Sequence, residues 1–291
     1  MSVCFILADI SKCYLNNVRE YVDAIYSPLV SGGAELDGIP CISVEDLLNC
    51  KFDYYVINCS ENELSEWIKI LVRMGIDEDV IVQQKVFDIN NFDIEKYLRL
   101  KKSHPSLITH HCWGGYTYHT LGMKFLSPFI NMFMQPEDYL KLISDFPSYM
   151  EAEPVYLRNG YETNLKREYP IASLKDIEIY MNHYVEFESA KATFDERKKR
   201  LNYNNLIFEF TSNDEKLIEK FAGLPLKKKI LFTETDCDYD FAVDLRRCIG
   251  NEHVQPLPNQ SNQYGGNLGI GYNPINLLLG EGEKYRLKIP N

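Results

Sequence analysis

Over its first hundred residues the chain alternates short apolar runs with amphipathic stretches, and this rhythm restricts the fold more than any other feature. Apolar runs at 3–8, 22–26, 54–59 and 80–82 read as strands. Between the last two, Leu64, Trp67, Ile68, Leu71 and Val72 recur at helical spacing over 61–74, and Gly75 closes that helix. Strands joined through helices run parallel, because the crossover returns the chain to the same end of the sheet. A further amphipathic helix over 92–102 ends in Lys101 and Lys102, where positive charge suits a helix C-terminus, and Pro105 forbids its continuation. An N-terminal domain over 1–103 with a Rossmann-like parallel sheet is therefore expected. A dinucleotide fingerprint needs glycines directly after the first strand, yet Asp9-Ile-Ser-Lys-Cys-Tyr-Leu-Asn16 contains none. Bulky side chains and an acid there disfavour NAD. Ser31-Gly-Gly33 reads as a surface turn.

The same alternation resumes beyond the boundary. Strands are expected at 106–111, 128–134, 177–184, 206–210 and 230–233, and helices at 116–122, 189–201 and 214–221. Another helix opens at Pro136-Glu137-Asp138, with proline in the first turn and acids beside it. The fold class is thus α/β, two α/β domains in series, the second a three-layer α/β domain over 104–291. From about 250 the composition turns to Asn, Gly, Gln and Pro, a segment that either wraps on the second domain or serves as a homo-oligomer contact.

Composition removes several functions. A net charge of −11 leaves nothing to neutralise a phosphate backbone, so no nucleic acid partner is expected, and the same sign disfavours anionic membranes. No apolar run is long enough to span a bilayer, so no membrane insertion is expected. The N-terminus has no basic leader, which points to a cytoplasmic chain. The eight cysteines show no metal or disulfide spacing, so reduced thiols and no stoichiometric zinc are expected.

Chemistry concentrates in Ser106-Leu-Ile-Thr-His110-His111-Cys112-Trp113-Gly114-Gly115-Tyr-Thr-Tyr-His119. A strand entering a Gly-Gly turn and then a helix leaves backbone N–H groups of Gly114 and Gly115 to meet an anion. On a strand, His110 and His111 point to opposite faces, so the two cannot share a metal, and no metal ligand set is expected. His111, beside the turn, is the candidate catalytic base, and Trp113 offers a flat face to a sugar ring. Cys112 is a possible nucleophile with His119 close in sequence, although a cysteine in apolar surroundings is usually inert. Asn131 would face the same cleft from a neighbouring parallel strand. Arg158, Arg197 and Arg200 offer planar forks to phosphate, with Lys166 and Arg167 nearby in a loop region. Asp236, Asp238 and Asp240 follow the strand at 230–233, where acids can hold Mg²⁺ beside a sugar nucleotide.

Cys112-Trp-Gly-Gly115, Ser127-Pro128 with Asn131, His183-Tyr184, and a basic helix ending in Arg197 and Arg200 together resemble a bacterial family, domain of unknown function 1919, over roughly residues 104–235. The chain departs from that pattern at His110-His111, where small polar residues are more usual, and at Phe194, where tryptophan is. The run from Gly38 to Ile57 is similar to small nucleotide-binding-type domains attached to polysaccharide assembly proteins. The resemblance implies surface polysaccharide or glycan biosynthesis. The expected activity is a transferase taking a small-molecule or glycan substrate that bears phosphate, with a sugar nucleotide as donor, with or without Mg²⁺, and no certain cofactor. The alternatives are a non-catalytic glycan- or partner-binding module and a Cys-His hydrolase or acyl transferase.

Overall fold

The computed structural model describes residues 2–7, 15, 18–89, 91–163, 165–245 and 272–281. The chain forms two compact units, Met1–Lys102 and Ser103–Asn291. No helix among the described residues is long and apolar enough to cross a membrane.

The first unit holds strands β1 (Val3–Leu7), β2 (Ala24–Tyr26), β3 (Glu35–Leu36), β4 (Ile39–Ile42), β5 (Tyr54–Asn58) and β6 (Ile81–Gln83) in the order β3-β4-β2-β1-β5-β6. All neighbours are parallel except β3 and β4, whose antiparallel pairing adds one edge to the Rossmann-like sheet. Every residue of central β1 is buried, as an apolar strand covered on both faces should be. Helices α1 (Val44–Asn49), α2 (Glu61–Arg73) and α3 (Ile94–Lys102) complete the unit. A capping box between Ser43 and Asp46 starts α1. Lys101 does not sit in solvent at its helix end. It is buried, its Nζ donates to the carbonyl oxygens of Glu78 and Ile81, and burial pulls its pKa down to about 8. The glycine-free turn at Asp9 lies outside the described residues.

The second unit is built on a parallel sheet, β13-β12-β11-β7, of β7 (Ser106–Ile108), β11 (Leu206–Thr211), β12 (Lys229–Thr233) and β13 (Ala242–Asp244). Its helices are α4 (Trp113–Thr120), α5 (Pro136–Ser144), α6 (Phe146–Glu151), α7 (Phe187–Lys198), α8 (Glu215–Gly223) and α9 (Pro274–Leu279). Phe129, Tyr139, Phe146, Phe194, Phe208, Phe210 and Phe221 fill the core between these elements. Phe194, the position where the family pattern favours tryptophan, meets Phe129 edge-on at 5.6 Å.

Three expectations need correction here. Residues 155–174 form a hairpin, β8 (Val155–Glu162) with β9 (Arg167–Leu174), and β10 (Ile177–Tyr180) adds a third antiparallel strand. Because β8 is an exposed edge, it carries no alternation of apolar and polar residues by which to recognise it. Residues 128–134 are a looped insertion into the core and not a strand. Asn131 turns the chain at φ 65°, and only Phe133 makes a bridge, with Tyr180. Finally, β7 stops at Ile108, so His110 and His111 lie beyond the strand and the helix begins at Trp113, with both glycines inside its first turn. The Asn/Gly-rich segment at 246–271 and residues 282–291 lie outside the described residues, while α9 packs Ile275 and Leu278 into the unit.

Candidate functional site

The site lies at the C-terminal ends of β7 and β11, the edge of a parallel sheet where α/β proteins place ligands. Ile108 is the last residue of β7 paired with β11, opposite Phe208, so Glu209 and Thr211 run on beyond the pairing. There they meet the chain leaving β7. The Thr109 hydroxyl donates to the His111 carbonyl at 2.8 Å, and the Met134 N–H donates to the His110 carbonyl at 2.9 Å. These bonds hold both imidazoles on one side, with ring centroids 4.5 Å apart.

The hydrogen bonds fix the protons. The Trp113 N–H donates to His111 Nδ1 at 3.1 Å, so in the neutral ring Nε2 carries the hydrogen. That nitrogen lies 2.9 Å from Thr211 Oγ1 and 3.4 Å from Glu209 Oε1. The Thr211 hydroxyl donates to Glu209 Oε1 at 2.6 Å, and the Thr211 N–H donates to His110 Nε2 at 3.3 Å. Glu209 is fully buried and both histidines nearly so. Burial, reinforced by neighbouring His111, pushes the His110 pKa well down and keeps that ring neutral. Two buried atoms in this cluster, His110 Nδ1 and Glu209 Oε2, have no hydrogen-bond partner.

Cys112 stands at the N-cap of α4, beside this cluster. Its Sγ lies 3.6 Å from Nε2 of His183, a residue distant in sequence; His119, nearer in sequence, is not the imidazole it meets. Burial raises the thiol pKa, and burial followed by the charge of Arg167 lowers that of His183. Both groups are therefore uncharged at neutral pH.

The other expected residues are dispersed. Trp113 is fully buried, its indole N–H donating to the Tyr272 hydroxyl at 3.0 Å and its ring packing on Phe232. A Cβ on Gly114 would sit 3.0 Å from Thr109, and one on Gly115 would sit 3.1 Å from Ile130 and 3.7 Å from Asn131 Oδ1. The glycines thus let α4 approach the chain at Thr109 and Ile130 closely, and Asn131 covers Gly115. Arg197 donates to the Ile130 carbonyl at 2.7 Å and to the Tyr184 hydroxyl at 3.2 Å, with its guanidinium over Phe125. Arg158 forms a two-pronged pair with Glu178, both bonds 2.7 Å, on the antiparallel sheet, and Arg200 is exposed. Arg200 lies close enough to Arg197 for its charge to act on it, while Arg158 is held by Glu178. Among the described residues, the metal-ligating side chains that gather are His110, His111 and Glu209, and not Asp236, Asp238 and Asp240. Of these, Glu209 belongs to no sequence motif, and its one signal in the sequence is a single acid within the apolar strand Leu206-Ile-Phe-Glu-Phe-Thr211.

A contrast between two arginines follows. Arg197→Ala should destabilise the chain by about 2–3 kcal/mol, since it strands a buried carbonyl and removes a charge-assisted donor. Arg158→Ala, which breaks an exposed pair, should leave the urea midpoint nearly unchanged. Equal effects in denaturation would contradict these placements.

Comparison with known proteins agrees with the motif pattern. The family model described as "Domain of unknown function (DUF1919)" matches residues 81–272, extending past both ends of the stretch marked by the motifs. An uncharacterized protein from Haemophilus influenzae is 29% identical over 147 residues, covering 49% of this chain and 68% of that protein. The matched residues include the whole β13-β12-β11-β7 sheet and the turn that carries Cys112 and both histidines. With more than half of its length matched by that model, the chain belongs to the domain of unknown function 1919 family.

Proposed function

We propose that the second unit is a group-transfer enzyme of the covalent thiol type, with Cys112 as nucleophile and His183 as its base. The observation that carries this reading is the 3.6 Å approach of His183 Nε2 to Cys112 Sγ at the start of α4. A thiol whose pKa is raised by burial is a poor nucleophile alone and needs a positioned base. His183, its pKa lowered, is unprotonated and able to serve. In the reaction Cys112 Sγ attacks an acyl carbon while His183 takes the thiol proton. The bond from that carbon to the leaving oxygen or nitrogen breaks, and His183 returns the proton to the departing group. The Trp113 N–H is taken by His111 Nδ1, and the Gly114 and Gly115 N–H groups behind it lack partners inside the helix by position and supply donors for the oxyanion. The acyl group would then pass to a hydroxyl of a glycan intermediate, or to water. The glycan setting and a cytoplasmic location come from the family resemblance and the reduced thiol this chemistry needs. A sugar-phosphate transferase draws less support, because Arg158 and Arg197 are engaged by Glu178, the Ile130 carbonyl and the Tyr184 hydroxyl.

Incubating the full chain with p-nitrophenyl acetate and following intact mass should reveal one acetyl adduct, absent in Cys112→Ala. His183→Ala should slow its formation on the order of 100-fold or more. Protonation of His183 removes the base. Because its folded pKa is lowered, activity should persist to pH values below the usual histidine range near 6.5 before falling. Equal acylation of Cys112→Ala, or none in the native chain, would overturn the proposal and leave a non-catalytic glycan- or partner-binding module.

A further inference from the structure

We propose that His110, His111 and Glu209 form a binding site for a first-row divalent transition metal. The argument against a shared metal holds only while both histidines lie on a strand, and β7 ends two residues earlier, at Ile108. Beyond it the rings converge, and ligand atoms of all three residues lie within 4.8 Å of one another. The 3.4 Å between His111 Nε2 and Glu209 Oε1 fits one edge of a tetrahedral site, where metal bonds of about 2.0–2.1 Å separate neighbouring ligands by roughly 3.4 Å.

A second observation is independent of spacing. Glu209 is 0% exposed and His110 5%, yet Oε2 of the one and Nδ1 of the other make no hydrogen bond. A buried carboxylate without a matched positive charge is costly, and among the described residues its ion-pair partner is an imidazole. A cation supplies that charge and takes the free lone pairs of Glu209 Oε2, while His110, whose Nε2 now accepts from the Thr211 N–H, exchanges that bond for the metal. Two imidazoles with one carboxylate suit Zn²⁺ or Fe²⁺, whereas Mg²⁺ prefers oxygen ligands throughout. Coordination through His111 Nε2 requires the other neutral tautomer, so the hydrogen that Nε2 now carries moves to Nδ1 and that ring releases no net proton. Binding must also loosen the Trp113 N–H contact to Nδ1, because that nitrogen becomes protonated when Nε2 coordinates. The proposal departs from the zinc-free expectation drawn from the cysteines, and it does not rest on the reactivity of Cys112.

The test uses the full chain stripped with EDTA and titrated with Zn²⁺, then with Co²⁺ to read the ligand set from its absorption spectrum. One equivalent should bind and raise the melting temperature. Glu209→Gln and His110→Gln should each weaken binding at least 100-fold, with circular dichroism reporting whether they fold. If a variant does not fold, the wild-type Co²⁺ spectrum decides. Bands without a thiolate charge-transfer component support the site, and a thiolate band that disappears in Cys112→Ala overturns it. Absence of stoichiometric binding, or undiminished binding by both folded variants, also overturns it. Metal binding that survives in Cys112→Ala while acylation is lost separates this proposal from the preceding one.

Discussion

Alanine at Trp113 should destabilise the second unit by about 3–5 kcal/mol, in the range for truncating a fully buried aromatic. The indole is 0% exposed, packs on Phe232 and donates to the Tyr272 hydroxyl. Truncation opens a cavity of nearly the side chain's own size beside a tightly packed sheet. It also takes the indole donor from Tyr272, whose ring packs at a tilt against the same Phe232, so the packing of the segment leading into α9 should weaken too. Trp113→Phe should recover part of the loss, since it restores ring volume without the N–H. Urea denaturation followed by circular dichroism measures both variants. An unchanged midpoint with a selective loss of sugar binding would mean that Trp113 acts as a ligand wall and not as core.

The second large effect is expected at Gly114. A Cβ there meets both branches of Thr109 at 3.0 Å and Ile130 at 3.2 Å, and Thr109 cannot rotate away cheaply because its hydroxyl is bonded to the His111 carbonyl. Gly114→Val should therefore destabilise by about 3 kcal/mol, the upper range for overpacking, and disturb the histidine cluster through Thr109. At Gly115 a single neighbour is tight, the Ile130 Cγ2 methyl 3.1 Å from the added Cβ, with Asn131 at an ordinary 3.7 Å, against three tight atoms at Gly114. Gly115→Val should then cost less than Gly114→Val. A stable Gly114→Val chain that has lost only ligand binding would mean that Gly114 makes room for ligand and not for the Thr109 contact.

Much of the architecture was legible beforehand. The α/β alternation, the helix opened by Pro136 and the amphipathic helix closed by Gly75 all follow from local rules of period, cap and breaker. The same is true of the family motifs, which are matters of order and spacing. The misreadings share one cause. Residues 128–134 are apolar because they plug a core, and β8 is irregular because it is an exposed edge; neither burial state is written in the local pattern. The candidate site shows this most sharply. The sequence by itself determined that His110, His111 and Cys112 would follow the first strand of the second unit and precede a helix. Only the tertiary structure decided that the strand would stop at Ile108 and that Glu209 and Thr211 would reach His111 from about a hundred residues away. It also brought His183, 71 residues on, to Cys112. The physical reason is that a parallel sheet aligns the C-terminal ends of strands far apart in the chain, and the side chains gathered there follow from register and crossover, which no short stretch of sequence contains.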